Sequence, residues 1–275
     1  MTGDLHCHTR LSDGSLGIED IIAQAKRTGI DFISITDHDT MASTSRAMVL
    51  GERYGVHIIP GVEFSAFDKK RNRKVHILCY MPEKPDRLEG LCMKISDLRK
   101  QRMKKMIEKV MEIYPITMES VLKYAAGSTS IFTQHIMHAL IDLGYTTEYF
   151  GDLFHVLFNS KTGTCYVPIQ YPDVKFVINM IHSADGLAVM AHPTIYDSFD
   201  LMYELAESGK LDGIEAWHHS NTVEDTSRIL SLCLEHNLIP TGGSDFHGMY
   251  SSHSCPIGSY ITPKESIERI LKKNK

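Results

Sequence analysis

The sequence contains no apolar run close to the ~20 residues of a membrane-spanning helix, so none is predicted. It also lacks a Cys-x-x-Cys pair, and its six cysteines are scattered along the chain. Most of them have apolar neighbours, which is typical of reduced, buried thiols, and we therefore expect a cytoplasmic protein. The polar N-terminus leads directly into a motif, so no signal peptide is predicted.

Two motifs of phosphate and ester chemistry are missing as well. There is no Gly-rich phosphate loop, which disfavours a nucleotide kinase or an ATPase, and no Gly-x-Ser-x-Gly elbow, which disfavours a serine hydrolase. The net charge of -5 over 275 residues gives no global sign of nucleic-acid binding, although it leaves a local basic rim open. The hydrophobic content of 43% is ordinary for a globular protein and supplies a core of normal size.

Histidine is the residue that the chain has in excess, with 15 copies, many of them beside Asp, Glu or Pro at predicted strand ends. The first two, His6 and His8, lie one residue apart at the end of a strand predicted over residues 2–7. Alternate residues of a strand point to the same face, so two imidazoles would approach one metal, with Asp13 just beyond. His-x-His by itself is a weak signal, and the prediction depends on the rest of the chain.

Strand and helix patterns alternate along most of the sequence. The predicted strands cover residues 2–7, 31–36, 56–64, 75–80, 186–191, 213–217 and 238–243. This alternation predicts an α/β fold with a parallel sheet, closed into a barrel at this length. A mostly helical stretch interrupts it. We therefore predict a barrel over residues 1–85 and 164–275, and a small inserted helical domain over 86–163 that covers the active site.

Polar side chains follow several of these strands, at the end that carries the chemistry in α/β barrels. They are Asp37-His38, Glu63, His192, His218-His219 and Asp245-Phe246-His247. Each alone has a local explanation as a helix cap or turn residue, but together they predict one site. Mixed imidazole and carboxylate ligands favour Zn, Mn or Fe. Metals about 3.5–4 Å apart with bridging carboxylates suit the hydrolysis of phosphate esters.

Six blocks of residues, in this order, resemble those of the PHP (polymerase and histidinol phosphatase) family. They are His6-Cys7-His8 with Ser12-Asp13-Gly14, Thr36-Asp37-His38-Asp39, Gly61-Val62-Glu63, His76, Ala191-His192-Pro193 and Ser244-Asp245-Phe246-His247. The resemblance covers residues 3 to about 248, nearly the whole chain. It implies a distorted (β/α)7 TIM-like barrel, the PHP fold, with two to three divalent metal ions (Mn, Fe or Zn).

The resemblance also implies a ligand set. One metal would be held by His6, His8, Glu63 and Asp245. A second would share Glu63 and add His76 and His192. A third would use Asp13, His38 and His247. Asp13 stands where other branches of the family have histidine, which favours the nucleotide-phosphoesterase branch over the histidinol phosphatases.

The function implied is a metal-dependent phosphoesterase. A metal-bridging hydroxide would attack the phosphorus of a nucleotide or another small phosphate ester. Asp13 and His38 would take part in catalysis, and His218 or His219 would protonate the leaving group. The alternative is a 5′-to-3′ exonuclease on RNA or short oligonucleotides. Two further interpretations of the site are more distant: a metal-binding module without turnover, and an amide hydrolase.

One stretch departs from the family pattern. This branch usually has Arg-Pro-His in the third insertion helix, and here only the histidine is present, as His135. A phosphate-binding arginine is therefore missing from its usual place, and Arg10, Arg99 or Arg102 are candidates to replace it. The predicted substrate-binding residues are Arg10, Arg102, His135 and His219.

Two features keep alternative interpretations. The basic run at residues 68–74 is either a solvated hairpin tip or a positive rim of the site. Asp37 and Asp39, on either side of a predicted ligand, either hold imidazoles in one tautomer or cap a helix.

Overall fold

The computed structural model describes residues 1–273 of the chain as a mixed α/β fold. Its strands are β1 (Thr2–Cys7), β2 (Phe32–Ile35), β3 (His57–Ile58), β4 (Gly61–Asp68), β5 (Arg73–Tyr80), β6 (Leu187–Met190), β7 (Gly213–Trp217), β8 (Ile239–Gly242) and β9 (Thr262–Pro263). Its helices are α1 (Ile18–Thr28), α2 (Thr44–Tyr54), α3 (Asp86–Met111), α4 (Met118–Tyr124), α5 (Thr133–Asp142), α6 (Asp152–Phe158), α7 (Val174–Ser183), α8 (Phe199–Glu207), α9 (Val223–Glu235) and α10 (Lys264–Lys272). Within residues 1–273, no helix has the length and apolarity needed to cross a membrane.

The strands form two sheets, in the orders β3-β2-β1-β9 and β4-β5-β6-β7-β8. Four of the seven neighbouring pairs are parallel, but β5 is antiparallel to both β4 and β6, and β9 is antiparallel to β1. The expectation of a purely parallel sheet is therefore wrong at this point. Only residues 69–72 connect β4 to β5, and so short a connection can join antiparallel strands only, because parallel strands need a longer crossover.

The single strand predicted over residues 56–64 is also wrong, because the structure divides it at Pro60. Before Pro60, β3 pairs in parallel with β2; after it, β4 pairs with β5, starting at Gly61 opposite Tyr80. Proline has no backbone N–H to continue a ladder, so the chain changes partners there. A Cβ on Gly61 would lie 2.4 Å from the Ser34 hydroxyl, so the close approach requires glycine.

The five-stranded sheet meets the other sheet at both of its own edges, β4 and β8. An isolated parallel bridge joins Cys7, at the end of β1, to Phe246 beyond β8, and another joins His38 beyond β2 to Glu63 in β4. Both bridges lie at residues of the predicted metal site, so the strand ends that carry the ligands converge.

Buried side chains form separate cores. One surrounds β4–β7 and includes Leu88, Leu91 and Ile95 from the first half of α3. The second half of α3 packs with α4, α5 and α6 in a core of their own. The helix α3 therefore connects the two cores. The division at residue 86 stays a prediction.

Candidate metal centre

The structure brings all nine predicted ligands together. His8 groups with Asp13, His38 and His247, and His6 groups with Glu63 and His192; further groups are His6, His8 and Asp245, and His38, Glu63 and His76. Within each group, one ligand atom per residue lies within 4.8 Å of the others. These residues come from separate strand ends, and the sheet edges described above bring them to one place.

Glu63 lies at the centre of the cluster. Its Oε1 lies 2.8 Å from His76 Nδ1 and 2.9 Å from His192 Nε2. Its Oε2 lies 3.0 Å from His38 Nδ1 and 3.3 Å from His8 Nε2. The side chain is 1% exposed. A buried carboxylate between imidazoles on both sides has the position expected of a bridging metal ligand.

The polar atoms of the cluster are poorly satisfied by the protein. Within residues 1–273, several buried ligand atoms have no hydrogen-bond partner: His6 Nε2, His8 Nδ1 and Nε2, Asp13 Oδ1, His38 Nδ1, His192 Nδ1 and Asp245 Oδ1. Each such atom costs about 1–3 kcal/mol when left unpaired, so a concentration of them needs an explanation. Imidazole nitrogens and carboxylate oxygens are ligands for Zn, Mn or Fe, and the residues therefore fit divalent metals.

The carboxylates of the cluster are ionised, as metal ligands are. Burial acts to raise the pKa of the Glu63 carboxyl, but His76, His38 and His6 outweigh it and hold that pKa well below its usual value. Burial opposes ionisation of Asp245 too, and the histidines around it, His6 first, again lower the pKa. The imidazoles divide into two groups: burial lowers the pKa of His38 and His76, whereas neighbouring carboxylates overcome burial and raise the pKa of His6, His8, His192 and His247. A metal binds the neutral imidazole, so metal binding by the second group would release protons.

Glu215, on β7, orients a ligand and was not predicted from the sequence. His6 Nδ1 lies 2.9 Å from Glu215 Oε1, and the backbone N–H of His192 donates to Glu215 Oε2 at 2.8 Å. The histidines overcome the effect of burial and lower the Glu215 pKa, so its carboxylate accepts from His6 Nδ1–H. His6 Nε2 is then free to face Glu63 and Asp245. The sequence offered one signal for this role, because Glu215 is the single acidic residue of an otherwise apolar predicted strand.

Replacing Glu215 with glutamine should weaken metal binding by about 10- to 100-fold, because the amide has one acceptor oxygen for the two N–H groups that the carboxylate binds, those of His6 and His192, and it carries no charge. Competition against a coloured chelator measures this affinity. Glu207→Gln, an exposed acid on α8, is the matched control and should bind like wild type. Equal affinities for the two variants would contradict the role given to Glu215.

His218 holds another ligand. Its Nδ1 accepts the backbone N–H of Ser220 at 3.1 Å, which leaves the Nε2–H to face Asp245 Oδ2 at 3.4 Å. The ring of His219 lies against that of His218 at an interplanar angle of 39°, with ring centroids 4.1 Å apart, and His219 is half-buried. Asp245 groups with both histidines. The structure therefore places the two predicted catalytic histidines beside the metal cluster.

The loops around the cluster are held by carboxylates. Asp37 accepts hydrogen bonds from Thr9 and Ser12, and so holds the loop that leads to Asp13. Asp39 accepts from the backbone N–H of Ser65 at 2.8 Å. Neither carboxylate accepts from an imidazole in these bonds, and Asp39 also forms an ion pair with Arg99 of α3.

A cavity of about 160 Å³ opens beside three ligands, Asp13, His38 and His76. Its other walls are Lys74, Arg99, Arg102, Met103, Ile131, Phe132, Thr133, Gln134, Tyr171 and Tyr196. The cavity thus lies between the metal cluster and the helices α3 and α5. A larger groove, of about 780 Å³, runs between residues 39–42 and α3 and contains none of the nine ligands.

The predicted substrate-binding residues lie at different places in the structure. Arg102 lines the cavity. Arg10 is exposed beside Gly17, and His135 Nδ1 accepts the backbone N–H of Phe132 at the start of α5; neither lines the cavity within the described chain. His219 lies on the Asp245 side of the cluster, as described above.

The basic run does not form a free positive rim. Lys70 and Arg71 form ion pairs with Glu204 of α8, and Arg73 pairs with Asp200 of the same helix. Lys74 differs, because it lines the cavity. Burial, followed by the nearby arginines, lowers the Lys74 pKa to about 8. The sequence did not distinguish this lysine from its neighbours.

Comparison with known proteins agrees with this geometry. The PHP domain matches residues 4–184. The chain is 37% identical to the phosphoribosyl 1,2-cyclic phosphate 1,2-diphosphodiesterase of Eggerthella lenta, over 91% of this chain and 95% of that protein. It is 30% identical to the 5′-3′ exoribonuclease Rnm of Escherichia coli, over 89% and 84%.

Among solved structures, a protein of Bifidobacterium adolescentis, provisionally described as a metal-dependent phosphoesterase, superimposes with a TM-score of 0.88. It is 29% identical, and the match covers 98% of this chain and 96% of that one. The mixed α/β fold is therefore that of PHP-like phosphoesterases. The chain belongs to the PHP domain family.

Proposed function

We propose that this protein hydrolyses a phosphate ester of a compact small molecule, such as a nucleotide. Its reaction class is that of its relatives: it is a metal-dependent phosphoesterase. The observation that carries the substrate proposal is the small cavity, which three metal ligands and several cations share. A cavity of about 160 Å³ suits a compact substrate or a single terminal residue of a longer one.

Two or three divalent ions, Mn, Fe or Zn, would be held by the three ligand sets given above. Bound there, they would neutralise phosphoryl oxygens and supply a nucleophile from water at neutral pH. The chain does the positioning: Glu215 sets the tautomer of His6, and His218 holds Asp245. His38 and Asp13 belong both to the cluster and to the cavity wall, so we assign them to the reacting phosphate.

The finer architecture is part of the proposal. We infer a distorted (β/α)7 barrel from β1, β2 and β4–β8, supported by the bridges at both sheet edges. The inserted domain, residues 86–163, would cover the site, since α3 and α5 supply cavity residues. The free state of all six cysteines supports a cytoplasmic location.

The second candidate is 5′-to-3′ exonuclease activity on RNA or short oligonucleotides. The similarity to the Escherichia coli exoribonuclease favours it. The ion pairing of the basic run counts against it, because three of those cations are neutralised by α8 and cannot follow a nucleic-acid backbone.

We expect protein loaded with Mn²⁺, Fe²⁺ or Zn²⁺ to release phosphate or alcohol from at least one small ester in a broad panel. Chelator-treated protein should release none, and added metal should restore the activity. A 5′-phosphorylated oligoribonucleotide in the same assay separates the two candidates. Release from the oligonucleotide alone would replace the first candidate by the second. No release from any substrate by metal-loaded protein would reject the proposed function.

A further inference from the structure

We propose that Gln134 is a positioning residue for Asp13, and that the chain around it controls the metal affinity of the third ligand set. That set is Asp13, His38 and His247. The chain in question, residues 128–138, consists of the residues before α5 and the first part of this helix, and we call it the α5 segment. The inference rests on the ligand sets of the proposed function and adds what controls one of them.

The contacts of the α5 segment with the cluster fall on one ligand set. Gln134 Nε2 donates to Asp13 Oδ2 at 3.3 Å. The ring of Phe132 lies against that of His38, with centroids 6.0 Å apart and an interplanar angle of 25°. Within residues 1–273, no hydrogen bond, ion pair or ring contact joins the α5 segment to the six other ligands. The third set therefore depends on a part of the chain that the other ligands do not contact in these ways.

The loop that carries Asp13 is bound to the same segment through its backbone. The Leu11 carbonyl accepts from the Thr129 N–H at 2.9 Å and from Thr129 Oγ1 at 3.0 Å. The Ser12 carbonyl accepts from Ser128 Oγ at 2.7 Å. These bonds immediately precede Asp13 in the chain, so the α5 segment holds both the backbone and the side chain of this ligand.

The loop beyond His247 is held by the same helix through Tyr250. The Tyr250 hydroxyl and His138 Nδ1 share a hydrogen bond of 2.8 Å, and the tyrosine is buried. Tyr250 ends the short 3₁₀ turn Gly248–Tyr250, which directly follows His247. A displacement of α5 would therefore move the chain beside His247 as well as the loop at Asp13.

The donor that Asp13 receives from the α5 segment is a neutral amide. Asp13 Oδ1 lies 3.3 Å from His247 Nε2, and Asp13 Oδ2 lies 3.6 Å from His38 Nε2. Within residues 1–273, the buried Asp13 Oδ1 and His38 Nδ1 have no hydrogen-bond partner. An amide N–H orients a carboxylate without neutralising it, whereas a guanidinium would form an ion pair and compete with a metal ion. Gln134 therefore fixes Asp13 and leaves its charge for a cation.

Gln134→Leu should weaken the binding of one metal ion by about 10- to 100-fold and leave the others unchanged, because only Asp13 loses its outer hydrogen bond. Mn²⁺ titrated into chelator-treated protein, with free Mn²⁺ followed by electron paramagnetic resonance, resolves the classes of site. At low free Mn²⁺, wild type should bind one ion more than the variant. Turnover that Gln134→Leu loses there should return when Mn²⁺ is raised by the same factor.

Two further variants complete the test. Tyr250→Phe removes only the hydroxyl that bonds to His138, and it should weaken the same ion by about 10-fold or less. This variant keeps its ring in the core and decides the question if Gln134→Leu does not fold. Gln101→Leu removes an exposed amide of α3 and should bind Mn²⁺ as wild type does.

Equal weakening of every ion in Gln134→Leu would overturn the proposal, because it would indicate a general loss of structure. Unchanged binding in both test variants would also overturn it, as would a wild-type protein that binds no more than two ions. Each of these results leaves the phosphoesterase assignment intact. Inactivity of metal-loaded wild type on every ester is a different result, since it rejects the proposed function and leaves the Mn²⁺ titration to decide the role of Gln134.

Discussion

Glu63→Gln is expected to lower kcat/KM by about 10³-fold or more, equivalent to about 4 kcal/mol of lost transition-state stabilisation. Glu63 contacts imidazoles through both oxygens, with His76 and His192 on Oε1 and His8 and His38 on Oε2. Glutamine removes the negative charge from the centre and points an NH₂ group at ring nitrogens that need an acceptor or a metal. The change is small in volume, so the fold should persist.

Elemental analysis and kinetics on the same preparation test this expectation. Metal content should fall along with activity, and circular dichroism should match wild type. Glu83→Gln, an exposed acid before α3, controls for the loss of one negative charge. Wild-type metal content with wild-type turnover in Glu63→Gln would show that this carboxylate does not bridge metals.

Arg99→Met should lower the free energy of unfolding by about 3–5 kcal/mol, because it leaves the buried Asp39 carboxylate without its partner. Arg99 is 7% exposed and Asp39 3% exposed. Their ion pair connects α3 to the loop after β2, and Ser65 of β4 bonds to both side chains. A pair on the surface would contribute only about 0–1 kcal/mol.

Urea unfolding of Arg99→Met, Asp39→Asn and the double variant measures the coupling between these side chains. Asparagine suits position 39, where φ is 56°, since it tolerates the left-handed region. The double variant should regain part of the stability lost in Arg99→Met, because no charge is left unpaired. A loss below about 1 kcal/mol in Arg99→Met would contradict the buried pair.

Local patterns predicted the elements well. The strand over 213–217 matches β7, and the strand over 2–7 matches β1. Such patterns depend on apolar spacing within a few residues, which the chain carries locally. The nine candidate ligands, which the structure brings together, came from the resemblance of the residues at these strands, in their order, to the PHP family.

Strand direction, in contrast, depended on where strands end, which the apolar pattern does not mark. The structure extends β4 to Asp68, so only residues 69–72 lead into β5 and the two strands are antiparallel, and it divides the strand predicted over residues 56–64 at Pro60. Three cations of the basic run, Lys70, Arg71 and Arg73, do depend on distant partners, because acids of α8 more than a hundred residues later neutralise them.

The residue types of this chain predicted the chemistry, because imidazole and carboxylate side chains that follow several strands together favour metal binding. Only the tertiary structure distinguishes the roles of residues that look alike in the sequence. Glu215 became the acceptor for His6, and Lys74 became the one cation of its run in the cavity. The physical reason is range: periodicity is set by neighbouring residues, whereas a hydrogen bond or an unpaired charge depends on which distant strand arrives beside it.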